Sequence, residues 1–198
     1  LNGLNLAAIT GSNGSVLSDY QLSSPSASVT ATISRKALTV NGITADSKTY
    51  DQTTNARINT ANALVQANAN RSDDGRYYNG DQVSVDVSLA SGNFDNKNAG
   101  ADKTVTVNGV TPGGSAAGNY IFNPITARAS ITPKTITATG ITAETKVNNN
   151  SNDIKIDARL AQINNAARSA NDNLFYSGDT LSLDARQARG SLENNQIG

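Results

Sequence analysis

Three acidic residues near a glycine are the first group of side chains in this sequence that could bind a ligand or take part in chemistry. Asp73, Asp74 and Asp81 carry carboxylates, and hard cations such as Ca²⁺ take carboxylate and carbonyl oxygens. A working calcium loop alternates oxygen donors, and the comparable stretch 95–102 instead has Lys97 at an alternate position. These three residues are therefore the candidate metal site. Solvated loop acids are the alternative, and we expect no other cofactor.

Two adjacent tyrosines form the second group. Tyr77 and Tyr78 follow Arg76, and an aromatic pair recurs as Phe175-Tyr176 before a second Gly-Asp turn. Aromatic rings with a polar edge are common binding anchors and can stack on sugar rings. Arg76, Tyr77 and Tyr78 are therefore the candidate ligand-binding residues. The alternative is that the tyrosines fill the core.

A hydroxyl–carboxylate pair, Tyr50-Asp51, is the third group. The sequence contains no Cys and no His, which removes thiol nucleophiles, serine-hydrolase triads and the usual ligands of zinc, copper and haem. We expect Tyr50 to pack at a strand end and Asp51 to cap the following turn through backbone hydrogen bonds. No catalytic residue is assigned. A glycosidase would need two acids about 5–10 Å apart in a cleft, and no acid pair stands out.

Four lysines among many Asn and Asp residues raise the question of covalent cross-links. Lys36, Lys48, Lys97 and Lys103 have the residue type of a spontaneous Lys–Asn isopeptide bond, which needs Lys, Asn and an acid buried together. Ordinary surface lysines are the simpler interpretation. The balance of 16 basic and 16 acidic residues, without a basic stretch, argues against nucleic acid and anionic membranes as partners. The apolar runs are too short to span a bilayer.

An internal repeat organises the chain. Residues 37–100 match residues 135–198 without a gap, at an offset of 98, with 19 identities in 64 positions. The matched landmarks include Tyr78 with Tyr176, and Gly80-Asp81 with Gly178-Asp179.

The beginning of the chain repeats its middle. Residues 18–22, Ser-Asp-Tyr-Gln-Leu, parallel Gly-Asn-Tyr-Ile-Phe at 118–122. The sequence therefore divides into the closing part of one repeat (1–36), a complete repeat (37–134) and the opening part of a further repeat (135–198).

Most local signals predict strands. Apolar residues alternate with Thr, Ser, Asn or Asp, as in half-buried antiparallel strands. The predicted strands are 29–33, 38–43, 83–87, 104–110 and 127–131. Residues 59–72 and their counterpart 157–170 are rich in Ala, Asn and Arg, and either a short helix or a long loop fits them.

The order of motifs resembles a known repeat. It runs Lys48-Thr49-Tyr50-Asp51-Gln52-Thr53-Thr54, then Gly80-Asp81-Gln82-Val83, Phe94-Asp95-Asn96-Lys97-Asn98-Ala99-Gly100, Lys103-Thr104-Val105-Thr106-Val107, Ala117-Gly118-Asn119-Tyr120 and Ile131-Thr132-Pro133-Lys134. It is similar to the YDG/MBG-type repeat of large secreted bacterial adhesins, including filamentous-haemagglutinin-like proteins exported by two-partner secretion. Gln52 stands where that family usually has Gly, and the next copy has Asn148-Asn149 in place of Tyr-Asp. These departures favour a structural role for the Tyr-Asp pair.

We therefore expect an all-β fold of tandem sandwich-like (Ig-like) repeats of about 98 residues forming a rod. A β-solenoid is the alternative, although solenoid coils repeat every 20–30 residues. The resemblance implies a non-enzymatic extracellular module at the bacterial cell surface, a stalk or filament segment of an adhesin or biofilm-matrix protein. The alternative function is a carbohydrate-binding adhesin module that recognises host-cell glycans or exopolysaccharide.

The expected partners are neighbouring repeats or identical subunits in a fibre. An opening part of a repeat cannot bury its sheet face alone, and unpaired edge strands invite partners. The closing part of one molecule could therefore complete the opening part of the next by strand complementation. The rival hypothesis is one continuous polypeptide with many repeats.

Overall fold

A computed structural model of the chain describes residues 14, 16–23, 26, 28–166, 168–169 and 171–194. The chain forms two compact units, Leu1–Arg35 and Lys36–Gly198. The described residues contain strands and two short 3₁₀ helices, Leu17–Asp19 and Ala117–Asn119, but no α-helix. The predicted all-β class is thus confirmed.

Eleven strands lie between Lys36 and Thr132. They are β1 (Lys36–Leu38), β2 (Thr44–Ala45), β3 (Lys48–Thr49), β4 (Asn55–Ala56), β5 (Ile58–Asn59), β6 (Ser84–Asp86), β7 (Ser91–Phe94), β8 (Gly100–Asn108), β9 (Thr111–Gly113), β10 (Tyr120–Phe122) and β11 (Ile125–Thr132). The second 3₁₀ helix directly precedes β10.

One five-stranded sheet dominates this part of the chain, in the order β3-β11-β8-β7-β4. Its long strands β8 and β11 are antiparallel, with Val105 opposite Ala127. Three two-stranded pairs accompany it: β1 with β10, which is parallel, β2 with β5, and β6 with β9. Most pairs are antiparallel, which does not match the parallel stacking of coils in a β-solenoid.

The core lies against one face of this sheet. Phe94, Val105, Ala127, Ala129 and Ile131 are at most 9% exposed and form one cluster. They alternate with exposed residues along β8 and β11, because successive side chains of a strand point to opposite faces. Burying a large apolar side chain contributes about 1.5–3 kcal/mol, so these two strands carry much of the stability of the sheet.

Six short strands follow in 135–194. They are β12 (Ala138–Thr139), β13 (Thr142–Ala143), β14 (Asp153–Ile154), β15 (Ile156–Asp157), β16 (Gln162–Ile163) and β17 (Gly190–Ser191). Their pairing repeats the earlier pairing 98 residues on. Thr44 faces Asn59 as Thr142 faces Asp157, and the Asn55–Asn93 pair becomes Asp153–Ser191.

The strands predicted at 104–110 and 127–131 are confirmed as β8 and β11, and that at 83–87 is confirmed in its centre as β6. The prediction of a strand at 38–43 is wrong beyond Leu38, because Gly42 has a φ of +82° and turns the chain. The prediction of a strand at 29–33 is also wrong. Val29 and Ile33 are 75% and 98% exposed and have no strand beside them in the described part of the chain.

The open choice for residues 59–72 is settled in favour of a loop. Leu64 makes an isolated bridge to Asn41, and the backbones of Gln66 and Ala69 bond to Tyr77. These contacts hold the segment against Asn41 and Tyr77. The described residues of 157–170 likewise contain no helix, and β16 lies within them.

Candidate functional site

A lysine at the start of each copy binds the loop that follows. The Lys36 Nζ lies 2.8 Å from Asp74 Oδ1, donates to the Arg71 carbonyl at 2.6 Å and sits 5.4 Å from the centre of the Tyr78 ring. The Lys36 side chain is 8% exposed. This cation is therefore held by a carboxylate, a carbonyl and an aromatic face together.

The same arrangement recurs 98 residues later. The Lys134 Nζ lies 2.7 Å from Asp172 Oδ1, donates to the Ser169 carbonyl at 2.6 Å and sits 5.4 Å from the Tyr176 ring. The interpretation of the four lysines as ordinary surface residues is wrong for Lys36 and Lys103, whose side chains are 8% and 9% exposed because an ion pair covers each of them. Lys97 is 47% exposed.

The aspartate of each cluster also organises its loop. Asp74 accepts the backbone N–H groups of Asn70, Arg71 and Arg76. Its hydrogen bond with Lys36, followed by these N–H donors, holds the pKa of Asp74 well below its usual value. The Lys134 ammonium and backbone donors lower the pKa of Asp172 in the same way. Both carboxylates are thus fully engaged inside the molecule.

The Gly-Asp turn receives a tyrosine. The Tyr120 hydroxyl donates to Asp81 Oδ2 and accepts the backbone N–H of Tyr78 at 3.1 Å. Tyr120 is 2% exposed, and burial followed by the bond to Asp81 raises its pKa. This pair closes the 37–134 copy on itself, since β10 begins at Tyr120.

In the next copy the Gly-Asp turn receives a tyrosine from the preceding copy. The Tyr50 hydroxyl donates to Asp179 Oδ1 at 2.9 Å, and its ring meets the Tyr176 ring edge-on at 6.0 Å between centres. The Lys97 Nζ lies 4.0 Å from Asp179 Oδ1. Burial, then the bond to Asp179, raises the pKa of Tyr50. These residues, Tyr50, Lys97, Tyr176 and Asp179, are named here the tyrosine joint.

A pocket of about 360 Å³ lies beside the tyrosine joint. Asn98 and Ala99 line it from one copy, and Ile136, Phe175 and Leu181 from the next. The walls are largely apolar, and the hydroxyl and carboxylate of the joint stand at its edge.

The Tyr50-Asp51 pair has the structural role that the sequence predicted. Tyr50 directly follows β3, and Asp51 accepts the Thr53 N–H at 2.9 Å and the Lys48 ammonium at 2.7 Å. Asn149, the counterpart of Asp51, makes a similar turn by accepting the N–H of Ser151 at 3.2 Å. Asp51 therefore shapes the turn that presents Tyr50.

The predicted ligand-binding residues lie on the loop capped by Asp74. Arg76 is exposed, Tyr77 is half-buried, and Tyr78 is 45% exposed with Lys36 over its ring. The alternative that this pair fills the core is wrong for Tyr78, because the lysine cluster holds its ring at the surface.

The predicted calcium ligands are not brought to one point. Asp74 faces Lys36, Asp81 accepts from Tyr120, and Asp73 lies 3.7 Å from the Arg71 guanidinium. Within the described ranges, no three acidic side chains come close enough to hold a metal ion. Calcium binding stays a prediction. No described residue belongs to a helix long and apolar enough to cross a bilayer.

Local sequence patterns do not predict the lysine clusters or the tyrosine joint. Tyr50 and Asp179 are 129 positions apart, so no local pattern pairs them. The signal that could have found them is the conserved offset: Lys36, Asp74 and Asp81 all have an identical counterpart 98 residues on.

The described residues form an all-β structure in which polar side chains of residues 37–134 contact the segment 135–194 that matches them in sequence. Residues 34–127 match the family model of the YDG domain, a span that holds both Tyr50-Asp51 and Gly80-Asp81. The predicted resemblance to YDG repeats is thus confirmed over these residues. A search of curated proteins and a search of solved structures each found no match.

Proposed function

We propose that this chain is a non-enzymatic structural segment of an extracellular bacterial adhesin or biofilm-matrix protein. Its role is to extend and display, as a row of repeats joined end to end. The tyrosine joint carries this proposal. In this joint a hydroxyl, a carboxylate and an ammonium group connect consecutive copies.

The distribution of polar contacts supports the same role. Four aspartates could take part in chemistry, and all of them accept hydrogen bonds from lysines, tyrosines or the backbone. They are Asp51, Asp74, Asp81 and Asp179. A catalytic base needs an open path to a substrate proton, whereas these carboxylates are committed to the fold. The YDG match and the Cys-free, charge-poor composition agree with secretion to the cell surface.

Pulling single molecules of the whole chain tests the proposal. A load-bearing repeat should unfold in one force peak that releases up to roughly 35 nm of chain, for a 98-residue repeat at about 3.6 Å per residue. Phe94→Ala is the matched weakening variant, because Phe94 is 3% exposed in the core. A smooth extension of the unmodified chain without any peak would count against a mechanical role.

A carbohydrate-binding adhesin module is the second candidate, favoured by the 45% exposed ring of Tyr78 beside the exposed Arg76. Glycan arrays probed with the whole chain and with Tyr77→Ala and Tyr78→Ala decide between the two. A sugar-dependent signal lost in the variants supports recognition of glycans or exopolysaccharide. Its absence leaves the scaffold proposal.

A further inference from the structure

Gln52 has a backbone conformation that a glutamine rarely adopts. Among the described residues, five other than glycine have a φ between +48° and +67°, and Gln52 has the largest, +67°. Asn and Asp tolerate this left-handed region, because their short polar side chains bond to the nearby backbone. The other four are of these two types: Asn68, Asp102, Asn150 and Asn173.

The turn itself does not require glutamine. The counterpart of Gln52, 98 residues on, is Asn150, and its φ of +60° shows that both copies make the same turn. A residue that is strained where its counterpart is not points to a contact elsewhere that compensates the strain.

The side chain of Gln52 provides that contact, because it reaches the next copy. Apart from the adjoining residues, the three atoms nearest to a Cβ built on Gly178 all belong to Gln52. They are Nε2 at 2.9 Å, Cδ at 3.7 Å and Oε1 at 3.8 Å. The amide of Gln52 therefore covers the space in which a side chain at position 178 would begin.

The same turn of the next copy is also held by the tyrosine joint. Asp179, directly after Gly178, accepts the Tyr50 hydroxyl at 2.9 Å and lies 4.0 Å from the Lys97 ammonium. Tyr50 and Gln52 are two positions apart in one turn, so the two contacts on Gly178 and Asp179 form together.

Hydrogen bonds fix the backbone on both sides of Gln52. The Tyr50 N–H donates to the Thr132 carbonyl at 2.9 Å, and Asp51 accepts the Thr53 N–H at 2.9 Å. A side chain on a fixed backbone loses less entropy when it makes a contact.

Glycine at position 178 has a different cause from glycine at its counterpart, position 80. Gly80 has a φ of +98°, which favours glycine, and a Cβ on it would meet nothing within 4 Å. Gly178 lies outside the positive-φ region, so its backbone does not call for glycine. The space that Gln52 occupies does.

We propose that Gln52 determines which copy can follow the 37–134 copy. Its amide packs on the Gly178-Asp179 turn and selects a neighbour with glycine directly before the aspartate. Tyr50 and Lys97 bind the aspartate by hydrogen bond and charge, whereas Gln52 recognises the adjoining residue by shape. This inference rests on the proposed scaffold function and names the partner that the joint accepts.

The substitution Gln52→Gly separates the side chain from the backbone. Glycine adopts positive φ without strain, which offsets its greater freedom in the unfolded chain, so residues 37–134 should keep their stability. The next copy loses the amide contact. Amide exchange in β13, β14 and β15 should therefore speed up about threefold to tenfold, as expected for one contact of hydrogen-bond strength.

The matched control is Asn68→Gly. Asn68 is exposed, has a φ of +64° and does not belong to the joint. This variant makes the same change of backbone type without removing a contact between copies, so exchange in β13, β14 and β15 should stay as in the unmodified chain.

The substitution Gly178→Ala, made in two backgrounds, tests the recognition of glycine. In the unmodified chain the new Cβ displaces the Gln52 amide and should speed up the same exchange. In the Gln52→Gly chain the space is free, and alanine restricts the unfolded chain more than glycine does, so exchange should be unchanged or slower. A difference between the two backgrounds measures the interaction of the two residues directly.

Equal effects of Gly178→Ala in the two backgrounds would overturn the proposal. So would a Gln52→Gly chain in which β13, β14 and β15 exchange as slowly as in the unmodified chain. Faster exchange in β8 and β11 of that chain would also overturn it, because glutamine would then support its own copy. The pulling experiment uses the unmodified chain, so the scaffold proposal and this inference fail separately.

Discussion

The Lys36–Asp74 pair shows how single side chains organise a chain with only 16% charged residues. Both side chains are at most 10% exposed, and the ammonium also meets a carbonyl and a ring. Breaking a covered pair leaves the remaining charge without a partner, which costs more than the loss of a surface ion pair. The same ion pair recurs at Lys134 and Asp172, so each copy anchors its loop to the lysine at its start in the same way.

Protonation of these aspartates should destabilise the chain in acid. Their pKa values are lowered in the folded state, so the stability they contribute is present above the ordinary value of 3.8 and is lost as the pH falls below it. Asp74→Asn should be less stable at neutral pH and should lose less further stability below pH 3.8. Denaturant unfolding across this range measures both. Asp73→Asn is the control, since that side chain is 80% exposed, and an equal effect there would contradict the prediction.

Lys103 has the neighbours of an isopeptide bond, but the neighbouring acid is ionised and half-exposed. Its Nζ lies 2.9 Å from Asn96 Oδ1 and 2.7 Å from Asp95 Oδ1. The bond with Lys103 lowers the pKa of Asp95, so the acid stays ionised, and the Asp95 side chain is 48% exposed and not buried as the reaction requires. The intact mass should match the sequence with no loss of ammonia. A deficit of one ammonia that disappears in Lys103→Arg would show the bond.

At the scale of elements, alternation predicted the strands that carry their own core. Along β11, Ala127, Ala129 and Ile131 are buried and the residues between them face outward or lie at the edge of the core. The same pattern at 29–33 gave no strand. Alternation indicates which residues could form one face of a strand, but it does not show whether a neighbouring strand is present to pair with them. The tyrosine joint lay beyond prediction for a related reason. The joint depends on contacts between two copies. The sequence repeat shows only that equivalent positions are 98 residues apart, not which residues of one copy touch the next.

Glycine positions decide where the loops meet the strands. A Cβ on Gly42 would lie 1.9 Å from the Asn62 carbonyl, and one on Gly140 would lie 2.0 Å from the Leu160 carbonyl. Both glycines also have positive φ, of +82° and +77°. The close approach of Asn62 to Gly42, and of Leu160 to Gly140, therefore requires glycine at both positions.

Gly42→Ala should cost much more stability than Gly80→Ala. Both positions have positive φ, for which a Cβ costs roughly 1–2 kcal/mol, but Gly80 has nothing within 4 Å. The clash at Gly42 should add about 1–3 kcal/mol, because the neighbour is backbone and cannot rotate away. Thermal unfolding of the two variants measures the difference. Equal losses would mean that Asn62 and its loop move freely away from residue 42.

At the scale of the whole molecule, the two copies differ in how much they can hold by themselves. The 37–134 copy has the long strands β8 and β11 and a buried core, whereas the strands of 135–194 are two residues long and much of their apolar surface is exposed. Short pairs of this kind are marginal unless they pack against something larger. Within the Lys36–Gly198 unit, the tyrosine joint supplies such a contact.

Loss of the tyrosine joint should therefore loosen one copy and leave the other intact. Tyr50→Phe removes the hydroxyl that bonds to Asp179, a loss of about 1 kcal/mol. Amide exchange should speed up in β13, β14 and β15 and stay unchanged in β8 and β11, because the latter are held by their own core. Tyr77→Phe is the matched control, since Tyr77 is half-buried and does not belong to the tyrosine joint.

The parent should also lose this protection as the pH rises above 10, because the pKa of Tyr50 is raised in the folded state and its stabilising effect is complete only below that value. Tyr50→Phe should show a weaker loss over the same range. A uniform increase in exchange across both copies would instead mean that they unfold as one body, with the joint as one contact among many.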